Sequence, residues 1–277
     1  MSPRYLRLAP IAYRNRKFLE SSAARSLRIL AEFYDPLTRL RREGVGDTIV
    51  MFGSARVQPR DQALARLRRL QKKRNASAVA LREARHAVRL SRYYEAARQL
   101  SHRITAWSMT LGEFPRRFVI CSGGGPGIME AANRGAAEAG GKSIGFNIEI
   151  PREQRPNRHI SPELNFNFHY FFMRKLWFAQ LAKALIVFPG GFGTMDELWE
   201  MLTLMQTEKL RRGHLILIYG REYWDEVLNW RAMVRWGTIH QGEYNLLQFS
   251  DNVDDAFRRV RTWLETYHMK LTTEWPD

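Results

Sequence analysis

The stretch that most constrains the fold of this chain is Ala184-Leu-Ile-Val-Phe-Pro-Gly-Gly-Phe-Gly-Thr-Met-Asp-Glu197. Leu185 to Phe188 is a short, wholly apolar run, as expected of a strand buried on both faces. Pro189 stops it, because proline has no N–H to give a ladder. Gly190, Gly191 and Gly193 allow backbone angles and close approaches that a β-carbon would block. Thr194 is expected as the N-cap of a helix, with Asp196 and Glu197 in its first turn, where the helix dipole favours negative charge. Leu198, Met201, Leu202 and Met205 supply an apolar stripe that runs to about Lys209. Strand, glycine turn and helix start together form a phosphate-sized pocket of backbone N–H groups with a carboxylate beside it. An ordinary capped β–α turn would look similar, but a second site of the same kind lies upstream. Phe118 to Cys121 is another apolar strand, followed by Ser122-Gly-Gly-Gly-Pro-Gly-Ile-Met-Glu130 and a small-residue helix from Ala131 to Ala139. Two such turns at strand ends predict one crevice in a parallel sheet, the place where α/β folds bind ligands.

Gly123-Gly-Gly-Pro-Gly-Ile-Met-Glu130, Phe172-Met-Arg-Lys175 and Pro189-Gly-Gly-Phe-Gly-Thr-Met-Asp-Glu197 resemble the LOG (Lonely Guy) family. Its members are cytokinin riboside 5′-monophosphate phosphoribohydrolases, long mislabelled as lysine decarboxylases. The resemblance runs from about Asp47 to Trp230 around an atypically long insert, and the second and third motifs at this spacing are specific. It implies an α/β fold, a Rossmann-like doubly wound parallel sheet, to which this chain's own residues add an N-terminal helical extension and a helical insert. It implies a hydrolase that cleaves the N-glycosidic bond of a purine nucleoside 5′-monophosphate, AMP or a cytokinin riboside monophosphate, to free base and ribose 5-phosphate. Arg174 and Glu197 would be its catalytic pair, with Glu130 at the ribose. Gly53, Ser54, Gly124, Gly125, Met173, Lys175, Gly190, Gly191, Gly193 and Thr194 would complete the substrate site. Backbone N–H groups at Gly190–Thr194 would hold the phosphate with no cofactor, and Phe192, Met173 and Phe172 either flank the base or belong to the core. Family members pair through helices beside the pocket, so a homodimer or higher homo-oligomer is expected.

The charge is unevenly spread. Of 44 Lys+Arg and 28 Asp+Glu, residues 1–117 hold 26 and 9, a net of +17, and residues 118–277 hold 18 and 19, a net of −1. The pocket half is therefore neutral and the N-terminal part strongly basic. The acid-poor start with Arg4, Arg7, Arg14, Arg16 and Lys17 is compatible with a transit peptide. Acids from Glu20 onward, and the spacing of Ala24, Leu27, Leu30, Phe33 and Tyr34, favour a basic helical extension over 1–45 that packs on a body spanning 46–277. Asp47 to Arg56 predicts the first strand and its turn, with Ser54 either bonding a phosphate or capping a helix, and Arg56 either meeting a phosphate or solvated. Asp61 to Leu111 contains neither Gly nor Pro and predicts a helical hairpin, within an insert of about 57–115, that breaks near Asn75–Ser77. Its arginines and lysines are a solvated face or a polyanion surface. A non-catalytic nucleotide- or RNA-binding protein is accordingly the alternative function. Arg174 and Lys175 near a helix start oppose the dipole preference and predict an anionic partner, which Glu130 or Glu197 would also satisfy.

Several chemistries find no footing. Gly140-Gly-Lys-Ser143 lacks the first glycine of a phosphate loop, and neither glycine turn completes the dinucleotide fingerprint. The seven histidines show no i,i+4 pairing, so no metal site is predicted. The lone Cys121 excludes a disulfide framework and suits a reducing cytoplasm. No apolar run reaches the ~18 residues of a membrane span. A pyridoxal decarboxylase needs a Schiff-base lysine, whereas Lys183 precedes a buried strand. Strand Ile144–Ile150, a polar loop to about Pro162 able to cover the pocket, strands at Leu215–Tyr219 and Phe249–Asp251, a helix opening at Tyr223 and a last helix over Val253–Tyr267 complete the prediction.

Overall fold

The computed structural model describes residues 8–112, 114–151, 155–210 and 213–269. Arg4, Arg7 and part of the expected covering loop lie outside them. Seven strands form one all-parallel sheet in the order β4-β3-β2-β1-β5-β6-β7. They are β1 (Thr48–Phe52), β2 (Val119–Ser122), β3 (Ser143–Ile148), β4 (Asn165–Phe168), β5 (Ala182–Val187), β6 (Leu215–Tyr219) and β7 (Leu247–Ser250). The order reverses at β1, flanked by β2 on one side and β5 on the other. The carboxyl ends of β1, β2 and β5 therefore meet at the switch point of a doubly wound sheet.

The helices are α1 (Arg16–Leu19), α2 (Arg25–Arg42), α3 (Arg60–Lys72), α4 (Ala78–Met109), α5 (Ile128–Glu138), α6 (Phe171–Leu181), α7 (Phe192–Gln206), α8 (Arg221–Val227), α9 (Trp230–Arg235), α10 (Gln241–Tyr244) and α11 (Val253–Tyr267). Alternation along the strands builds two cores. Val50, Phe52, Leu185, Val187, Ile216 and Ile218 face α6 and α7, whereas Ile49, Met51, Ala184, Ile186, Leu215 and Leu217 face α4, α5 and α11. The Gly-free stretch is two helices, parted at residues 73–77, where Ser77 caps α4 by accepting from the Ala80 N–H. The second half of α4 is core: Tyr94, Ala97, Leu100 and Ile104 are fully buried against α5 and the sheet.

Four local expectations are corrected. Helix α7 begins at Phe192, after an extended Gly191, so Thr194 lies inside the first turn instead of capping it, and Asp196 and Glu197 fall in the second turn. The capping position passes to Gly191, whose carbonyl accepts from the Thr194 and Met195 N–H groups. Strand β3 ends at Ile148, two residues early. The helix opening at Tyr223 is broken: α8 stops at Val227 and α9 restarts after Asn229, whose side chain accepts from the Ala232 N–H. In α2 the packed residues are Ile29, Phe33, Leu37 and Leu40, and Leu27, Leu30 and Tyr34 are exposed. The tertiary face follows the ring of Phe33, 5.7 Å from Trp177 of α6.

Candidate functional site

Three turns are stitched together at the switch point. Phe188 N–H donates to Phe52 O at 2.8 Å, and Ser54 N–H donates to Pro189 O at 3.0 Å. Ile128 N–H donates to Ser54 O at 3.2 Å. A β-carbon on Gly53 would press within 2.7 Å of Ile128, so this glycine is required for close approach. Gly190 is required for the same reason, since a β-carbon there would collide with Thr194. Gly191 and Gly193 have open space around them.

Above these turns is a cavity of about 740 Å³, within the size range of small-molecule sites. Gly53, Ser54, Arg56, Gly123, Arg174, Gly190, Gly191, Phe192, Gly193 and Thr194 line it, with apolar walls from Phe52, Ile148, Ile150, Phe171 and Met195. The start of α7 faces it; the Thr194 N–H already donates to Gly191 O at 3.0 Å, which leaves the amides before it, at Phe192 and Gly193, without an intrahelical acceptor. Such a terminus attracts anions. Tyr223 of α8 donates its hydroxyl to Gly190 O at 2.7 Å and so pins the turn.

Arg174 lines the cavity and pairs with Glu197, which is buried behind it and is not among the lining residues. Arg174 Nη2 donates to Glu197 Oε1 at 2.8 Å, with side chains 13% and 4% exposed. The guanidinium also lies 5.7 Å from the ring centroid of Phe171 and 5.4 Å from that of Phe178. Its Nε is buried and has no hydrogen-bond partner. Burial pushes the Glu197 carboxyl above the usual carboxylate value, and Arg174 opposes that rise. Cys121 is buried beneath, its thiol pushed well up by desolvation, which makes it inert.

Other expected site residues are placed elsewhere. Lys175 turns aside to Asp196 at 2.8 Å and Glu200 at 3.0 Å. Met173 is buried in the sheet core, and Phe172 is half exposed off the cavity wall. Gly124 and Gly125 lie behind the wall, their carbonyls accepting from Asn157 Nδ2 at 3.0 and 3.1 Å. Glu130 pairs with neither Arg174 nor Lys175; its Oε1 accepts from the Tyr94 hydroxyl at 3.0 Å. Tyr223, Tyr94 and Asn157 were not singled out from sequence. The signals were faint: a tyrosine three residues past Gly220, a tyrosine within a long helix and an asparagine within a polar loop.

Among the described residues the cavity lining contains no lysine, and no group of three or more His, Cys, Asp or Glu is arranged to hold a metal ion. No helix of the described residues is long and apolar enough to cross a membrane.

A family model described as "Possible lysine decarboxylase" matches residues 129–260. The cytokinin riboside 5′-monophosphate phosphoribohydrolase LOG2 of Arabidopsis thaliana is 27% identical over 116 residues, 41% of this chain. That overlap is 49% of the plant protein, so the chain spans about half the length of the curated relative it matches. Among solved structures, the molybdenum cofactor binding protein from the phototrophic bacterium Rippkaea orientalis has 14% identity and a TM-score of 0.47, over 78% of this chain and 94% of that one. The molybdenum cofactor carrier protein from Chlamydomonas reinhardtii has 17% identity and a TM-score of 0.46, over 79% and 99%.

Proposed function

From the LOG family, which the motifs, the family model and the curated relative support for this chain, we propose that it hydrolyses the N-glycosidic bond of a purine nucleoside 5′-monophosphate. The products are free base and ribose 5-phosphate. One observation carries this reading: the buried Arg174–Glu197 pair stands beside a helix start that offers bare amides to an anion.

The 5′-phosphate lies over Gly190–Thr194, where the start of α7 supplies N–H donors and a favourable dipole. The scissile C1′ is then directed to the Glu197 side of the cavity. Cleavage of an N-glycosidic bond builds oxocarbenium character at C1′, which a carboxylate stabilises. Glu197 stabilises that cation or takes a proton from the attacking water. Arg174 keeps the carboxylate ionised in a buried setting and fixes its orientation. The apolar walls, Phe171 and Met195 among them, receive the base. Glu130, hydrogen-bonded to Tyr94, takes the ribose role only on the family resemblance.

The test is incubation with a panel of purine and pyrimidine nucleoside 5′-monophosphates, quantifying free base and ribose 5-phosphate. Equimolar release of both from at least one purine monophosphate, and none from its nucleoside, is expected. No base release from any member of the panel overturns the proposal.

A further inference from the structure

The hairpin of α3 and α4 holds a dense and largely unneutralised run of cations. Residues 60–92 contain eleven Lys and Arg against Asp61 and Glu83, a net of +9. In other helices several arginines are matched by an acid one turn away: Arg16 by Glu20, Arg134 by Glu138, Arg221 by Asp225 and Arg261 by Glu265. In the hairpin the exposed Arg68, Arg69, Lys72, Lys73, Arg82 and Arg85 are in no ion pair among the described residues. Like charges so placed repel one another, and a bound polyanion relieves that repulsion.

The cations of α4 are in register. Arg82, Arg85, Arg89 and Arg92 follow spacings of three, four and three residues, which puts them on one helix face. They form a row of about 15 Å with a cation roughly every 5 Å. Arg89 and Arg92 are bridged by Glu222, whereas Arg82 and Arg85 are open. The row also leads somewhere. Arg89 and Arg92 border a shallow groove whose walls, Leu90 and Tyr223, are shared with the 740 Å³ cavity. At that cavity's mouth Phe192 stands 93% exposed, an aromatic face available to an unpaired base.

We propose that the arginine row of α4 binds the phosphodiester backbone of a single-stranded nucleic acid and leads the strand to the mouth of the cavity. A cationic track joined to an exposed aromatic ring suits unpaired bases, because a duplex keeps its bases stacked away from such a ring. An anionic membrane fits less well. Membrane-surface helices present a broad apolar face, whereas the exposed large apolar side chains among the described residues of this hairpin, Val79 and Met109, stand at opposite ends of α4. This proposal rests on the charge pattern and does not depend on which bond the cavity breaks.

The experiment is fluorescence anisotropy of a labelled single-stranded oligoribonucleotide with the full chain, titrated across a series of salt concentrations. Wild type should bind with an affinity that falls linearly in log salt. Arg82→Glu/Arg85→Glu should weaken binding about tenfold or more and reduce the slope by about 1.4, roughly 0.7 for each lost phosphate contact. Its circular dichroism should be unchanged, and Arg82→Lys/Arg85→Lys should retain binding. If the glutamate variant fails to fold, Arg82→Gln/Arg85→Gln gives the same readout. Undiminished binding by the folded variants overturns the proposal. So does a duplex that competes as well as the single strand, or loss of binding to anionic vesicles in place of RNA.

Discussion

Glu197 is the residue on which the chemistry turns, and its setting makes its behaviour predictable. Glu197→Gln keeps the size and the Arg174 contact but removes the charge that would meet C1′. Turnover should fall by ~10²-fold or more with unchanged circular dichroism, and Arg174→Ala should cost a similar factor; near-normal hydrolysis by either variant refutes the pair's role. The pH profile follows from the burial that raises the carboxyl. Activity requires ionised Glu197, so the acid limb of kcat should lie above the range of an ordinary carboxylate. Removing Arg174, which pulls the carboxyl down, should move that limb higher still in whatever activity remains. An acid limb at an ordinary carboxylate value would contradict the assignment. The stability sign is opposite to that of a surface carboxylate. The folded state holds this proton more tightly than the unfolded chain does. Its stabilisation is therefore present below the unfolded carboxylate value and lost as pH rises through the folded one.

At the scale of the element, the β5–α7 turn separates a glycine needed for packing, Gly190, from one that packing does not require, Gly193. Gly190→Ala places a methyl group against Thr194 and should destabilise the protein by ~1–3 kcal/mol. Gly193, inside the first turn of α7 with open space around it, should tolerate Ala and gain ~0.4–1 kcal/mol from reduced unfolded-state freedom. Chemical denaturation midpoints of the two variants decide this; equal midpoints would mean that the close approach is not required. Much of the element layout was legible from local chemistry. The apolar runs expected within Asp47–Arg56, at Phe118–Cys121, at Leu185–Phe188 and at Leu215–Tyr219 fall on buried strands, although β5 starts at Ala182 and takes in Lys183, and the lack of Gly and Pro over 61–111 became two helices. The start of α7 was not legible, because a threonine followed by acids has the form of an N-cap while the helix begins two residues earlier, at Phe192. Nor was the buried face of α2, whose phase was set by contact with Trp177.

Across the whole molecule, the lower rim of the sheet depends on one buried ion pair. Asp47, fully buried, accepts from Arg117 Nε at 2.7 Å and from the Phe118 N–H. Arg117 Nη2 also donates to the His268 carbonyl at 3.0 Å and so ties the end of α11 to β1 and β2. Arg117→Ala would leave an uncompensated carboxylate and should cost about 3–5 kcal/mol, read as a lower midpoint without loss of specific activity in the surviving native fraction. The expected homodimer is testable at the same scale. Leu27, Leu30 and Tyr34 on α2, with Phe172 and Leu176 on the neighbouring α6, leave apolar side chains exposed. Sedimentation should give twice the 32.5 kDa chain mass, and Leu27→Glu/Leu30→Glu should halve it; a wild-type monomer removes the expectation.

The sequence by itself determined every strand except β4, the glycine turns and the split of charge between the two halves. Those properties depend on neighbours a few residues apart: apolar runs, residues without a β-carbon, helix formers in series. Only the tertiary structure decided which residues meet. Arg174 and Lys175 are adjacent in the chain but about 100° apart around α6. One lines the cavity and reaches Glu197 behind it, and the other reaches Asp196 and Glu200 outside it. Strand order brought Ser54, Ile128 and Pro189 into hydrogen-bond contact and carried Tyr223 to Gly190. Each of those contacts depends on long-range register and helix phase, which no local spacing encodes.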